Sequence, residues 1–380
     1  MSRIATVFEQ LRLAKRKALI PFITAGDPNA DMTQAIMHEL VEAGATVTIV
    51  DQQSVARESS WAGGGILSPL YPWRYPEAVT ELASWSQQHY AGLIRKLFDI
   101  TGVDAEYQDS GLLVYSSNEL DLAVKWAENH KISLEIVVLE KLNNIQPGIR
   151  SEDSPWIWMP AIAQVRNPKL LSALRAYLSL KDVKIFENEP ISEIMVESGR
   201  IAGLVSKQGY FPVDRCLLAA GAWSGGLLDF VGGLPIEPVR GQIMLLKGNP
   251  GTVNRIVLKD SHYLIPRKDG RILVGSTLEY VGFDKSTTEQ AREELIAAAE
   301  AIMPGITSKC EIETQWAGLR PGSPEGIPYI GEHPEVSGLF VSSGHFRNGF
   351  ALAPATARLN ADLILKREPV LDPDYYRIGR

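Results

Sequence analysis

Long apolar runs, blocks of like charge and cysteine are all scarce in this sequence of 380 residues. The apolar piece at residues 18–25 is far shorter than the roughly 18 residues that a membrane span needs. No N-terminal run combines a basic region, a long apolar region and a small-residue cleavage site. The sequence therefore predicts a cytoplasmic protein that has no membrane partner.

The charge and the cysteine content narrow the class of protein further. The net charge is −7 without long runs of one sign, which gives no support to a nucleic-acid partner. The two cysteines, Cys216 and Cys310, lie among apolar or β-prone residues and are predicted to be buried, reduced thiols. The length is sufficient for two domains with sizeable cores.

The N-terminal pattern predicts a βαβ unit. The apolar spacing over residues 3–16 is typical of an amphipathic helix. Residues 18–24 have the apolar character of a buried strand, and residues 26–29 have the composition of a turn. Asp31 is a candidate N-cap for a helix that ends near Gly44, and 46–50 is a second strand. Such a unit implies parallel strands joined by a right-handed crossover.

The rest of the chain alternates between helical and strand patterns. Helices are predicted at residues 78–98, 119–128, 168–180, 288–301 and 353–365. Strands are predicted at 183–186, 191–196, 201–206, 209–213, 216–220 and 339–341, and strand character continues over 235–277. Helices near both ends and strands in the middle predict an α/β domain that is built from both termini and interrupted by a more antiparallel domain.

Two motifs near the first strands carry candidate chemistry. Asp51 follows its strand at the distance at which dinucleotide folds place an acid on a ribose hydroxyl, although a solvated loop carboxylate has the same pattern. Gly63, Gly64 and Gly65 would let the backbone approach a ligand closely, or they could form a flexible turn.

Two further motifs follow later strands. Residues 219–223 end an apolar strand with small side chains, which suits either a strand meeting a cofactor or a tight structural turn. Residues 343–349 concentrate His345, Arg347 and Asn348 in one glycine-flanked loop before a helix. Backbone amides at a helix N-terminus suit an anion or a polarised carbonyl, so we favour a functional loop.

Arg320 and Tyr263 complete the candidates. An arginine fork can bind a carboxylate through two hydrogen bonds, and a tyrosine hydroxyl can add a third. Each residue alone is more often structural.

From about residue 46 to 380 the sequence resembles the glycine oxidases of thiamine biosynthesis, within the D-amino-acid oxidase family. The segments that carry the match are SWAGGGILSPLYPWRYPEA at 60–78, PVRGQ at 238–242, YLIPRKDGRILVGST at 263–277, WAGLRPG at 316–322 and SGHFRNGFALAPAT at 343–356. The resemblance implies a Rossmann-like α/β domain that binds FAD and an inserted α+β substrate domain built on an antiparallel sheet. The FAD-binding domain would comprise 1–84, 146–230 and 313–380, and the substrate domain 85–145 and 231–312.

The resemblance also implies the roles of site residues. Asp51 would hold the adenosine ribose and Ile191 would contact the adenine end through its backbone. Arg320 would bind the substrate carboxylate, with Tyr263 beside it and Arg347 near the same pocket. The remaining residues that would line FAD are Gln52, Ser59, Ser60, Gly64, Gly65, Ile66, Gly221, Gly344, His345, Phe346, Arg347, Asn348 and Gly349.

The implied reaction is the oxidative deamination of glycine or a small primary or secondary amine, with oxygen reduced to peroxide and the product used in thiamine thiazole synthesis. Two alternatives stay open. One is a relic with impaired FAD binding, and the other is an oxidase of the sarcosine or D-amino-acid type. The sequence leaves a homo-oligomer open.

Residues 1–45 are similar to a different family, the tryptophan synthase α subunits. The catalytic glutamate of that barrel would fall where this chain has Ile49, so lyase activity is not expected. Where an FAD-binding chain has G-x-G-x-x-G, this chain has Pro28, Ala30 and Thr33. Proline removes an N–H donor, and Asp31 adds a negative charge near the expected pyrophosphate. We therefore expect weakened FAD binding.

Overall fold

The computed structural model describes residues 18–20, 46–115, 118–150 and 155–380. The strands are β1 Ala18–Ile20, β2 Thr46–Val50, β3 Leu112–Tyr115, β4 Glu135–Val137, β5 Trp156–Met159, β6 Lys184–Phe186, β7 Ile191–Glu197, β8 Arg200–Ser206, β9 Gly209–Pro212, β10 Arg215–Leu218, β11 Glu237–Lys247, β12 Ile256–Lys259, β13 His262–Pro266, β14 Arg271–Gly275, β15 Glu311–Gly322, β16 Tyr329–Glu332 and β17 Leu339–Ser343. The α-helices are α1 Ser59–Ala62, α2 Glu77–Thr101, α3 Leu120–His130, α4 Leu139–Ile145, α5 Asn167–Leu180, α6 Ser224–Leu227, α7 Glu289–Ile302, α8 Ile306–Lys309 and α9 Gly349–Leu365.

A six-stranded sheet joins both ends of the chain. Its order is β16-β17-β10-β1-β2-β6, and every pair is parallel except β16 with β17. On one face, Ile49 and Leu217 pack with Leu174 of α5 and Ala357 of α9. The other face packs against a three-stranded antiparallel sheet, β7-β8-β9, through residues such as Leu204. The result is a layered α/β unit with a mostly parallel central sheet, which confirms the predicted fold class.

An eight-stranded mixed sheet forms the second layer system, in the order β15-β11-β14-β13-β12-β3-β5-β4. Successive side chains alternate between its faces, as the period of a strand requires. Leu264 points to the face that α7 covers, whereas Tyr263 and Ile265 point to the face that holds Ile66 and Tyr71. That second face is the one that borders the candidate site.

The predicted domain ranges stay a prediction. The structure shows that residues 84 and 85 lie inside the continuous helix α2, whose side chains Val79 and Leu82 pack with Leu352 and Leu359 of α9. Strands β5 and β15, which the prediction places mostly in the FAD-binding domain, belong to the eight-stranded sheet, where β5 pairs with β3 and β15 pairs with β11.

Most predicted elements recur with shifted ends, and the largest shift is at α9. The sequence predicts a start at residue 353, but the helix begins at Gly349 and contains Pro354. Pro354 cannot donate to the carbonyl of Phe350, and the hydroxyl of Tyr90 on α2 donates there instead. The short strands β3, β4 and β5 were not predicted.

The remaining predictions concern the two cysteines and the N-terminal elements. Cys216 and Cys310 are buried thiols that form no disulfide with each other, as predicted. Of the predicted strand 18–24, residues 18–20 form β1; the predicted helices 3–16 and 31–43 and the turn 26–29 lie outside the described residues.

Candidate functional site

Asp51 lies directly after β2 and is fully buried. Its backbone joins β2 to the chain after β6, because its N–H donates to Phe186 O at 2.8 Å and its carbonyl accepts from Glu189 N at 2.8 Å. Its Oδ1 accepts from Gln53 N at 2.7 Å. A solvated loop carboxylate, the alternative to a functional acid, is excluded by this burial.

Ile191 lies close to that strand end. It begins β7 and shares a hydrophobic cluster with Val50, the last residue of β2. Gln52, which follows Asp51, is half-buried. The structure thus brings together the residues that were predicted for the adenosine end.

The short helix α1 carries Ser59 and Ser60 and docks on β15. The Ser59 hydroxyl donates to Leu319 O, and Trp316 Nε1 donates to Ala62 O at 3.0 Å. A Cβ at Gly318 would lie 2.7 Å from the Cβ of Ala62, so the strand needs glycine where the helix crosses it.

The loop after α1 is packed and not a flexible turn. Gly65 has φ +76°, and a Cβ there would lie 2.2 Å from Val165 O. A Cβ at Gly64 would lie 2.7 Å from Ile265 Cδ1. Arg267, a residue that the sequence did not single out, donates to Gly64 O at 2.8 Å and to Val165 O at 2.9 Å. Burial lowers the pKa of this guanidinium to about 10.

The loop between β17 and α9 brings buried polar groups to a helix N-terminus. The Ser343 hydroxyl donates to Gly221 O at 3.1 Å, and Gly344 has φ +83°. His345 is buried, and burial lowers its pKa to about 3, so the imidazole is neutral. Among the described residues, neither His345 Nδ1 nor Asn348 Nδ2 has a hydrogen-bond partner.

Two overlapping cavities of about 80 and 90 Å³, together called the inner cavity, lie between α1, the eight-stranded sheet and this loop. Their walls include backbone of the glycine loop, three serines, one tyrosine and two arginines. The lining residues are Ser59, Ala62, Gly63, Gly64, Gly65, Ile66, Ser68, Leu70, Gly241, Ile243, Tyr263, Ser276, Gly318, Arg320, Phe346, Arg347, Gly349 and Phe350.

Arg320 is held in the inner cavity by neutral oxygens alone. It donates to Ser276 Oγ at 2.8 Å, to Thr277 O at 3.1 Å and to Arg240 O at 3.4 Å. Burial and, next, the nearby charge of Arg347 lower its pKa to about 10, so it stays protonated at neutral pH. Among the described residues no carboxylate forms an ion pair with it, and such a buried cation favours an anionic ligand.

Tyr263 and Arg347 leave polar groups open to the same space. The ring of Tyr263 lies over Gly275, where a Cβ would come within 2.6 Å of the hydroxyl oxygen. In the described part of the chain, neither the Tyr263 hydroxyl nor the Arg347 guanidinium has a hydrogen-bond partner. Arg347 also lines a larger outer cavity of about 410 Å³, together with Leu70, Tyr71 and Arg74.

The structure therefore gathers most of the predicted site in one place. Tyr263, Arg320, Arg347, Ser59, Gly64, Gly65, Ile66, Phe346 and Gly349 line the inner cavity. Ser60, Gly221, Gly344, His345 and Asn348 lie in the segments around it, whereas Asp51, Gln52 and Ile191 form a separate group at the end of β2.

The arrangement fits the flavin part of FAD. Unpartnered donors of a buried amide and the first turn of a 17-residue helix suit the carbonyl oxygens of an isoalloxazine ring. Gly64 and Gly65 line the same cavity, where their backbone can border a flat ring. Residues 28–33, which would face the pyrophosphate, lie outside the described part of the chain.

Comparison with known proteins identifies the family of the chain. The profile of the family described as DAO, FAD dependent oxidoreductase, matches residues 35–363, and the chain belongs to this family. The chain is 45% identical over 340 residues to the glycine oxidase of Pseudomonas aeruginosa. The aligned region covers 89% of this chain and 93% of that protein. It is 32% identical to the bifunctional protein ThiO/ThiG of Synechocystis, over 85% of this chain and 48% of that protein.

A solved structure gives the same result in three dimensions. The glycine oxidase from Bacillus cereus superposes with a TM-score of 0.85 and 27% identity, over 96% of this chain and 99% of that one. The chain thus belongs to the FAD-dependent oxidoreductases, and glycine oxidases are among its relatives.

The described residues provide neither a membrane span nor a metal centre. No helix among them is long and apolar enough to cross a membrane. Nor do they contain three or more His, Cys, Asp or Glu side chains grouped so as to hold a metal ion.

Proposed function

We propose that the chain oxidises glycine to the imine and thence the oxo acid, with Arg320 binding the carboxylate. The observation that carries this proposal is a half-buried, protonated guanidinium that lines the inner cavity and has only neutral partners among the described residues. A carboxylate would supply the missing counter-charge through two hydrogen bonds, and the open hydroxyl of Tyr263 would donate a third.

The side chains around the cavity orient the substrate and do not remove a proton. No Asp, Glu or His is among the described residues that line the inner cavity, so the amine should enter in its neutral form. FAD, when bound, supplies the acceptor for the hydride from Cα, and oxygen ends as peroxide. Arg320 and Tyr263 contribute by fixing the carboxylate, and with it Cα, at one distance from the flavin side of the cavity.

The cofactor roles of the remaining residues are part of the same proposal. Asp51, Gln52 and Ile191 would hold the adenosine end, and Ser59, Ser60, Gly64, Gly65 and Ile66 the ribityl arm and flavin. Gly221 and the loop Gly344, His345, Phe346, Arg347, Asn348 and Gly349 would border the pyrimidine side. The burial of Asp51 and the open donor of Asn348 support these roles.

The outer cavity favours a second candidate, the oxidation of N-substituted or larger amines. Leu70 and Arg347 line both cavities, so a substituent on the amine could extend from one to the other. A substrate series from glycine through sarcosine to D-alanine and D-proline, read by peroxide release, separates the two. Glycine as the substrate with the highest kcat/KM supports the first candidate, and a preference for the larger amines would replace it.

A third proposal concerns residues 1–45, whose likeness to tryptophan synthase α subunits suggests a separate origin. The family profile begins at residue 35, beyond the positions where the glycine motif would stand. We propose weakened FAD binding as the consequence, which purification would test by flavin absorbance. The proposed use of the imine is thiamine thiazole synthesis.

A further inference from the structure

The segment PVRGQ at 238–242 lies behind the proposed carboxylate site but does not reach the inner cavity with its charged side chain. Gly241 lies directly beneath Arg320, where a Cβ would come within 2.1 Å of Arg320 Nη2. The preceding residue, Arg240, has a side chain that is only 5% exposed. Strands β11 and β15 therefore carry one arginine each, Arg240 facing away from the cavity and Arg320 facing it.

The two arginines have opposite surroundings. Arg240 Nη2 donates to Glu279 Oε2 at 2.5 Å, and Arg240 Nη1 donates to Asp284 Oδ2 at 2.6 Å. Arg320 has no carboxylate partner among the residues that the structure describes. Both acids thus lie on Arg240, whereas Arg320 has only neutral partners and would gain from a counter-charge.

Glu279 lies within a short relay of Arg320. Thr277 accepts from Arg320 Nη1 through its carbonyl at 3.1 Å and donates through Oγ1 to Glu279 Oε1 at 2.5 Å. The segment that carries both residues is tied to β11, because Arg240 N donates to Glu279 O at 2.8 Å and Glu279 N donates to Arg240 O at 2.9 Å. The charge of Glu279 already acts on Arg320, whose pKa it raises slightly against the larger effects of burial and Arg347.

We propose that Arg240 is a positioning residue for substrate binding, which keeps Glu279 and Asp284 paired so that Arg320 remains available to the carboxylate of the substrate. Without this partner, Glu279 would compete for Arg320 from inside the protein. The inference rests on the proposed role of Arg320. It assigns a task to Arg240 that involves no contact with substrate or flavin.

The test compares Arg240→Met with Arg240→Met/Glu279→Gln, each saturated with FAD. Acetate binding, followed by the change in flavin absorbance, is measured beside kcat and KM for glycine. We expect the single variant to raise the acetate Kd and the glycine KM by at least about tenfold while kcat changes by less than about threefold. The double variant should return both values to within about threefold of the wild type, since the competing charge is gone.

A matched control comes from the same sheet. Arg271 on β14 also pairs with two acids, Glu313 at 2.7 Å and Asp269 at 2.9 Å, but lies at the far end of β11, opposite Lys247. Arg271→Met should leave the acetate Kd within about twofold of the wild type. Should Arg240→Met lose its flavin, Arg240→Gln with and without Glu279→Gln makes the same comparison while keeping hydrogen-bond donors.

Two outcomes overturn the inference. One is an unchanged acetate Kd in the Arg240 variant, and the other is a raised Kd that Glu279→Gln does not restore, which would make Arg240 merely structural. Arg320→Met separates this inference from the proposed function. If that variant keeps wild-type acetate affinity, the carboxylate assignment itself fails; if it loses acetate while Arg240→Met does not, only the role of Arg240 fails.

Discussion

The substrate end and the adenosine end of the proposed site are formed by different kinds of chain segment. The substrate end assembles Gly64, Tyr263, Arg320 and Arg347, which are far apart in sequence and meet through close packing between the two large sheets. The adenosine end depends on local segments that follow single strands, as Asp51 follows β2. Packing therefore couples the substrate end to the whole fold, whereas a local replacement can change the adenosine end alone.

The largest expected effect is a loss of bound flavin, which tests whether flavin binding depends on the packing of the C-terminal segment. Removing residues 342–380 deletes the loop before α9 and the helix that packs on the parallel sheet, so we expect complete loss of bound flavin. Flavin absorbance of the purified protein and circular dichroism measure the result. A matched truncation that ends at Tyr376 keeps the buried Tyr376 hydroxyl bond to Ala78 O at 2.8 Å and should stay yellow. A folded, yellow protein without residues 342–380 would place the cofactor elsewhere.

Arg320→Ala tests the substrate end alone. Loss of a charge-assisted bidentate contact should lower kcat/KM for glycine by about 3 kcal/mol or more, which is roughly 150-fold, while bound flavin is retained. Steady-state peroxide release and the ratio of flavin to protein measure the two quantities. Arg267→Lys is a useful comparison, because Arg267 contacts Gly64 O but not the cavity, and it should alter flavin content more than glycine kinetics. Unchanged glycine kinetics in Arg320→Ala would refute the carboxylate assignment.

Replacing residues 1–45 with a strand, a G-x-G-x-x-G turn and a helix tests the adenosine end alone. Restored backbone donors and removal of Asp31 should tighten FAD binding by about two decades, since an anion pair at ~5 Å costs roughly 3 kcal/mol at an effective dielectric of about 20. Fluorescence quenching of FAD titrated into both apo-proteins measures the change. Asp31→Asn in the native chain isolates the charge from the glycines. Equal FAD affinity of the native and replaced chains would mean that the native segment binds phosphate in its own way.

The smallest expected effect concerns pH and His345. Burial lowers its folded-state pKa to about 3, below the unfolded value near 6.5, so the unfolded chain binds the extra proton first. The stability from this residue is therefore present above pH 6.5 and decreases as pH falls toward 3, by roughly 1.4 kcal/mol per pH unit. Urea unfolding of wild type and His345→Gln at pH 7.5 and pH 5 measures the difference. His89 is exposed, so His89→Gln serves as the control. An equal change in the free energy of unfolding between the two pH values in all three proteins would contradict the burial of a neutral imidazole.

The fold class and many elements could be predicted because local patterns carry them. Strand β2 has the bounds that its β-branched run predicts, and α2 begins one residue before the predicted start at residue 78, although it ends at Thr101, three residues after the predicted end. Tertiary context changed other ends. Helix α9 starts four residues before its predicted position, because side chains of α2 bond to the backbone groups that Pro354 disturbs. The Tyr90 hydroxyl donates to Phe350 O, and Ser86 Oγ accepts from Ala355 N at 3.0 Å.

The sequence by itself determined which side chains could serve the site, since an arginine beside glycines, an acid after a strand and a glycine-flanked loop are local features. Only the tertiary structure decided which partners and which burial these side chains have. Arg320 and Arg240 have the same side chain, but strand pairing directs one toward neutral oxygens and the other toward two carboxylates. Their electrostatic roles differ because burial and counter-charge depend on residues distant in sequence, which no local pattern records.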